Sequence, residues 1–324
     1  MKFGVGLFPT APSPDMLRAA TLAEELGFDS VWVADTHLIW RDVYVLLGAM
    51  AARTQGIAIG TGVTHAQVRH VSLTAAAIAS LAELAPGRVN LGIGVGDSGP
   101  ANMGLPRSSL AQLEQAIADI RALLRGEEIA GEHAPLRLAY APGAPVPVYV
   151  AGSSDRTHRF SGRVADGAYV AGAVDRLAES VAAIREGERE AGRPEGSVDV
   201  LLWTVCSIDD DPAAAREAVK PVVARKAIIG GDLAERLGTL PEEDREPLAR
   251  LRAAYDTHHH MGAQYAGLVP DRWIDRFAIA GTAAQVRERC RRAAADGADH
   301  IAMVFMGPNL EEQLRRFADA VLTG

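Results

Sequence analysis

The sequence predicts a (β/α)8 barrel, a TIM barrel, carrying a helical insertion after its seventh strand. Eight strand patterns alternate with helical ones along 324 residues, a length that one such barrel commonly occupies. The alternation breaks once, in an all-helical stretch at about 211–276. Glycine and polar residues concentrate where strands end, as a site built from βα-loops requires. The chain is accordingly expected to form a single domain over 1–324.

The first strand, 3–8, leads to a helix at 14–26 stopped by Gly27 and a strand at 30–34. A helix at 42–53, a strand at 57–61 and a helix at 72–84 ended by Pro86-Gly87 follow. Residues 88–97 read Arg-Val-Asn-Leu-Gly-Ile-Gly-Val-Gly-Asp, the fourth strand. Val89, Leu91, Ile93 and Val95 alternate there with Asn90, Gly92, Gly94 and Gly96, so one face is apolar and the other nearly bare. Such glycines suit either a flat ligand pressed on the strand or tight packing against a neighbouring stave.

Gly94-x-Gly96-x-x-Gly99 formally matches a dinucleotide fingerprint. Pro100 and Pro106 stand where a helix should open, and the next helix is expected only from Ser109, capped with Gln112. That helix, 109–125, precedes a proline-rich connector, a strand at 146–151, a helix from about 155 and a short strand at 167–170. A helix at 175–191 and a strand at 198–207 lead into the insertion, where Asp211-Pro212 and Leu240-Pro241-Glu242-Glu243 each open a helix. A helix at 282–295 capped by Thr282 and Gln285, a strand at 300–305 and a helix at 310–322 complete the barrel.

A content of 48% hydrophobic and 23% charged residues fits a globular protein, and no apolar run is long enough to span a bilayer. The net charge of −8 argues against nonspecific binding to nucleic acid or anionic membranes. Cys206 and Cys290 lack the spacing of a disulfide framework or zinc site. The N-terminus enters a strand directly, without a secretory segment, so cytoplasmic residence is expected. His258-His259-His260 point in different directions if helical and read as substrate-side or surface residues, not metal ligands. No metal is expected.

Several strand ends carry residues able to do chemistry. Asp35-Thr36-His37 with Trp40 offers an acid, an imidazole and a flat wall. Asp97, beside Val95, is expected to bind protons more tightly than in water and not to cap a helix. Gly152-Ser153-Ser154-Asp155-Arg156-Thr157 is a turn into a helix whose N-terminus, hydroxyls and guanidinium suit a phosphate, unless Ser154 or Asp155 merely caps the helix. Trp203 ends the seventh strand.

Taken jointly, residues 23–35, Gly60-Thr61-Gly62-Val63-Thr64 with Arg69-His70, residues 87–97, and 148–157 followed by Ala165-Asp166-Gly167 resemble the bacterial luciferase-like superfamily. The similarity covers nearly the whole chain and lies on the side of its deazaflavin-dependent, methylenetetrahydromethanopterin reductase-like branch. It implies an often dimeric barrel that uses coenzyme F420 for hydride transfer. It implies that Gly62-Val63 forms a non-prolyl cis peptide or bulge backing the deazaflavin ring, with Thr64 on the same cofactor side. By the same resemblance Asp35, Gly96 and Asp97 contact the cofactor, and Gly152, Ser153, Ser154, Arg156 and Thr157 hold its phosphate. His37 is similar to a proton-donating histidine of some relatives, although Thr36 separates it from Asp35 where an Asp-His pair is commoner.

The expected reaction is hydride transfer from reduced deazaflavin to an electron-poor C=C or C=N of a small organic substrate, with His37 or Asp97 supplying the proton. Trp40, Trp203 and His258 are expected on the substrate side. The alternative is an FMN-dependent monooxygenase of the same superfamily using reduced flavin and dioxygen. A cofactor-free barrel enzyme binding a substrate phosphate at 152–157, and a ring-binding protein without catalysis, are readings of other classes.

Overall fold

The computed structural model describes residues 1–142, 144–256, 259 and 262–323. Its strands are β1 (Lys2–Leu7), β2 (Ser30–Val33), β3 (Ala58–Thr61), β4 (Thr64–His65), β5 (Val89–Gly94), β6 (Val148–Gly152), β7 (Gly167–Val170), β8 (Asp199–Ile208), β9 (Ala278–Gly281) and β10 (His300–Phe305). All pair in parallel, in the order β10-β1-β2-β3-β5-β6-β7-β8, and β8 pairs with β10 to close an eight-stranded barrel. The dinucleotide fingerprint therefore begins at the end of a barrel stave and runs on into the short helix Ser98–Asn102; it does not lie in an open doubly wound sheet.

The helices are α1 (Ser13–Glu25), α2 (Val43–Ala51), α3 (Val71–Leu84), α4 (Ser98–Asn102), α5 (Leu110–Leu124), α6 (Asp155–Val164), α7 (Leu177–Glu190), α8 (Pro212–Leu237), α9 (Glu242–Ala254), α10 (Asp271–Phe277), α11 (Ala283–Ala295) and α12 (Leu310–Phe317). The expected caps are present: Ser109 with Gln112 opens α5, Thr282 with Gln285 opens α11, and Asp211 opens α8. No helix of the described residues is long and apolar enough to cross a membrane.

Alternation decides which faces are buried. Val89, Leu91 and Ile93 of β5 point outward into the layer between barrel and helices, alongside Val31, Val33, Val148, Val150 and Ile301. The opposite faces fill the lumen with Trp32, Tyr149, Tyr169, Leu201 and Ala302. Beyond β8, helices α8, α9 and α10 have their own core of Val219, Val223, Leu248, Leu251, Tyr265, Trp273 and Phe277.

Three elements depart from the sequence expectation. β4 pairs two residues with β5, and β9 follows the insertion. β9 takes the edge of β8 at 205–208, beyond the 199–202 segment occupied by β7. Both are too short for a periodic signal. The third is α4, which begins immediately after Asp97, where a loop as far as Ser109 was expected. A five-residue helix containing Gly99 and Pro100 carries little propensity of its own.

Candidate active site

The lumen aromatics form a floor beneath the carboxyl ends of the strands. Trp32 packs edge-on against Tyr149 and Tyr169, with centroids 5.0 and 5.7 Å away. The chain passes over this floor between β3 and β4, and there the Gly62–Val63 peptide bond is cis. A Cβ on Gly62 would lie 2.9 Å from Trp32 Cβ, and Tyr169 Oη donates to the Gly62 carbonyl at 3.4 Å. Val63 packs at the partly exposed rim with Ala151, Ala171 and Trp203.

The bare face of β5 has two explanations along its length. A Cβ at Gly92 would be 2.1 Å from the Thr61 carbonyl oxygen, while Thr61 Oγ1 donates to the Gly92 carbonyl at 2.6 Å. Close strand packing thus accounts for Gly92 without any ligand. At Gly94 the nearest atoms, in Ala151 and Val63, would be 3.4 and 3.5 Å from an added Cβ, an ordinary contact. Gly96 turns the chain at φ 89°.

Beside the cis bond, Asp35 is buried at the end of β2. Its Oδ2 accepts from Thr64 Oγ1 and Arg69 Nη1, each at 2.8 Å, and its Oδ1 is buried without a partner. Arg69 also reaches Asp42, the cap of α2, and lies 4.9 Å over the Tyr44 ring. His65 Nε2 donates to the Asp35 carbonyl oxygen at 2.7 Å, leaving Nδ1 as a second buried atom without a partner. Burial pushes the His65 imidazole below its ordinary value, more strongly than Asp35 raises it. Thr36, not His37, follows Asp35 inward, bonding Ser98 Oγ at 2.9 Å. His37 is half-buried in the turn beyond and makes no hydrogen bond to another described residue.

Asp97 does not behave as expected. Burial would raise its carboxyl, but Arg225 and Arg107 more than offset this and hold it below the usual range. Arg107 donates to Oδ1 at 2.6 Å and Arg225 to Oδ2. Asp97 is thus an ionised anchor for the insertion helix α8, not a carboxyl that retains its proton. It also occupies the cap position of α4, without capping through its side chain.

At β6, the helix-capping reading holds for two hydroxyls. Ser154 caps α6 in a capping box with Thr157: Thr157 N–H donates to Ser154 Oγ at 3.3 Å and Ser154 N–H to Thr157 Oγ1 at 3.1 Å. A Cβ on Gly152 would lie 2.3 Å from Thr157 Oγ1. Ser153 and the exposed Arg156 remain outside this cap.

Trp40 stacks on Phe8 at 5.0 Å, and Phe8 meets Trp203 edge-on at 5.9 Å. Trp40 and Trp203 thus join one partly exposed aromatic wall. His258 lies outside the described residues. The sequence reading missed Tyr169, Arg107, Arg225 and Lys226. A signal existed for the last two, because Arg225-Lys226 interrupts the otherwise apolar run 221–231. A separate cleft of about 520 Å³ between α8 and the ends of β8 and β10 is lined by Ser207, Asp209, Glu217, Pro221, Gly307 and Gln313. It contains neither the Asp35 group nor the cis peptide, so the candidate site is the barrel mouth.

The family profile described as luciferase-like monooxygenase matches residues 1–300. A 5,10-methylenetetrahydromethanopterin reductase of Methanolobus tindarius is 32% identical, with 99% of this chain and 100% of that protein covered. An F420-dependent glucose-6-phosphate dehydrogenase of Beutenbergia cavernae is 34% identical over 81% of this chain and 82% of its own. The structure of a coenzyme F420-dependent tetrahydromethanopterin reductase from Methanopyrus kandleri superposes with a TM-score of 0.86 at 26% identity, covering 99% of this chain and 98% of that one. This chain therefore belongs to the luciferase-like monooxygenase family.

Proposed function

We propose that this chain is an F420-dependent oxidoreductase that passes a hydride to an electron-poor C=C or C=N of a small organic molecule. One observation carries the reading: a relative that is F420-dependent by name matches this fold over 99% of the chain. The FMN monooxygenase alternative has weaker support, since the M. tindarius reductase and the B. cavernae F420 enzyme match at 32% and 34% identity.

The residues at the mouth suit a deazaflavin. Asp35 Oδ1 is a buried acceptor lacking a donor, which an N–H or hydroxyl of the cofactor would satisfy. Val63 and Gly94 offer a flat apolar bed, and Thr64 fixes the Asp35 carboxylate. The start of α6, with Ser153 and Arg156, would receive a phosphate on backbone N–H groups while Ser154 and Thr157 shape the turn. When bound, F420 supplies the hydride. The chain's own contribution is orientation: Asp35 and Val63 fix the ring plane, Asp97 draws α8 over the mouth, and the insertion limits water. Of His37 and Asp97, it is His37, half-buried with no described hydrogen-bond partner, that is left to carry a proton, through its imidazole.

A fluorescence titration with F420 and with FMN tests this. F420 binding at about micromolar Kd, with FMN at least roughly tenfold weaker, is the expected result. A preference for FMN would overturn it in favour of oxygen chemistry, and binding of neither would overturn both.

The same reading includes a homodimer. Val45 on α2 and Leu73 on the adjoining α3 are 72% and 62% exposed, and α2 carries no charged side chain. A second copy covering this neutral face is the occupant its chemistry favours.

A further inference from the structure

Helix α8 brings two neighbouring cations over the barrel mouth in opposite circumstances. Arg225 is paired with Asp97 and stacked 5.4 Å over the Tyr255 ring. Lys226, one residue on, has no carboxylate within ion-pair distance among the described residues. It is 6% exposed. Its Nζ donates to the Trp203 carbonyl at 3.2 Å and lies 4.8 Å from the Trp203 ring centroid. One of its three donors is thereby used.

Its surroundings on α8 are Val222, Val223, Ala227 and Ile228, all buried. Burial pushes the amine down to about 7. A helix that needed only to cover the barrel would be better served here by Leu or Met, because an unpaired buried ammonium is destabilising. Keeping the amine makes physical sense if a group from outside completes its pairing.

The neighbouring surface suggests the shape of that group's carrier. Trp40, Phe8, Trp203 and Tyr169 form one row, with successive centroids 5.0, 5.9 and 6.3 Å apart. Trp40, Phe8 and Trp203 are its partly exposed members. A flat apolar body along this row would bring a terminal anionic oxygen within reach of Lys226. Arg225, by contrast, is held in its pair with Asp97, which Arg107 shares, and its Nε is buried without a partner.

We infer that Lys226 is a specificity-determining residue for the hydride acceptor, pairing with a carboxylate carried on a flat, apolar body. Calling this ligand the acceptor rests on the hydride-transfer reading; the carboxylate site itself does not. A purely structural lysine, tying α8 to β8 through the Trp203 carbonyl, would show no preference for charge in a ligand.

Calorimetric titration of the protein, with and without F420, with cinnamate and its neutral isostere cinnamamide separates these cases. Cinnamate is expected to bind at least about tenfold more tightly than the amide to the wild type. Lys226→Met should bind the two alike, with F420 affinity unchanged. Lys226→Gln, which keeps a donor for the Trp203 carbonyl but not the charge, should behave as Lys226→Met does. Equal affinity for acid and amide in the wild type, no saturable binding of the acid, or a preference that survives both substitutions would overturn the inference. Tighter binding of phenyl phosphate than of cinnamate would overturn the carboxylate assignment. If cinnamate is preferred through Lys226 but F420 does not bind, the hydride-transfer reading fails and the carboxylate site stands.

Discussion

Two charged side chains at the barrel mouth, Asp97 and Lys226, have opposite consequences for stability. Burial lowers the Lys226 amine to about 7, whereas an unfolded lysine titrates near 10.4. Between these values the unfolded chain holds a proton that the native one has released, so this residue makes stability rise with pH through that window. Below pH 7 its full penalty applies. Lys226→Met should therefore stabilise the protein by about 1–4 kcal/mol at pH 6 and flatten the rise toward pH 10, as denaturant unfolding at several pH values would show. For Asp97 the folded carboxyl lies below its unfolded value, so its contribution is present above pH 4 and lost as pH falls through the folded value. Its side chain is 35% exposed, so solvent screening limits that contribution to about 1 kcal/mol. Asp97→Asn should cost about that at pH 7 and nothing below the carboxyl's titration. It should also leave the shape of the pH-rate profile near neutrality unchanged, whereas His37→Ala should lower kcat while F420 affinity is kept.

At the scale of elements, local sequence foretold caps better than contacts. Ser109-x-x-Gln112 and Thr282-x-x-Gln285 are capping boxes visible in four residues, because both partners lie within one turn. Ser154 and Thr157 form the same motif, so Ser154→Ala should lower stability by about 1 kcal/mol in thermal unfolding. Gly152→Ala should disturb that cap as well, since its Cβ would meet Thr157 Oγ1 at 2.3 Å. Loss of phosphate affinity in a Gly152 variant would therefore mix two effects, and Arg156→Ala is the cleaner probe. On β5, alternation identified the bare face, but only the neighbouring strand shows why Gly92 is bare. Gly92→Ala drives a methyl group into the Thr61 carbonyl and should destabilise by about 1–3 kcal/mol, measurable as a fall in Tm.

For the molecule as a whole, the uncharged surface of α2 with exposed Val45 and Leu73 leads to a prediction about assembly. Val45→Glu with Leu73→Glu should convert a dimer to a monomer in sedimentation velocity without lowering helix content. A wild type that sediments as a monomer at micromolar concentration would remove the homodimer from the proposed function. The insertion has a core of its own around Trp273 and Tyr265 and is fastened to the barrel by the Arg225 to Asp97 pair. Asp97→Asn should therefore also loosen α8, read as faster amide exchange along that helix.

The eight barrel strands, the place of the insertion and the strand-end loops are legible in the chain, because periodicity, caps and turn residues are encoded within a few positions of one another. The sequence also brought Asp35, Gly62, Val63 and the Gly152 to Thr157 loop into one list, since all lie at strand ends. Tertiary structure decided what those residues are to each other. Thr36, not His37, turns inward after Asp35, Ser154 and Thr157 give their hydroxyls to the cap, and Arg225, 128 residues away along the chain, fixes the charge of Asp97. The titration of a carboxyl depends on which cations lie within a few ångströms of it, and folding, not local sequence, brings those cations there.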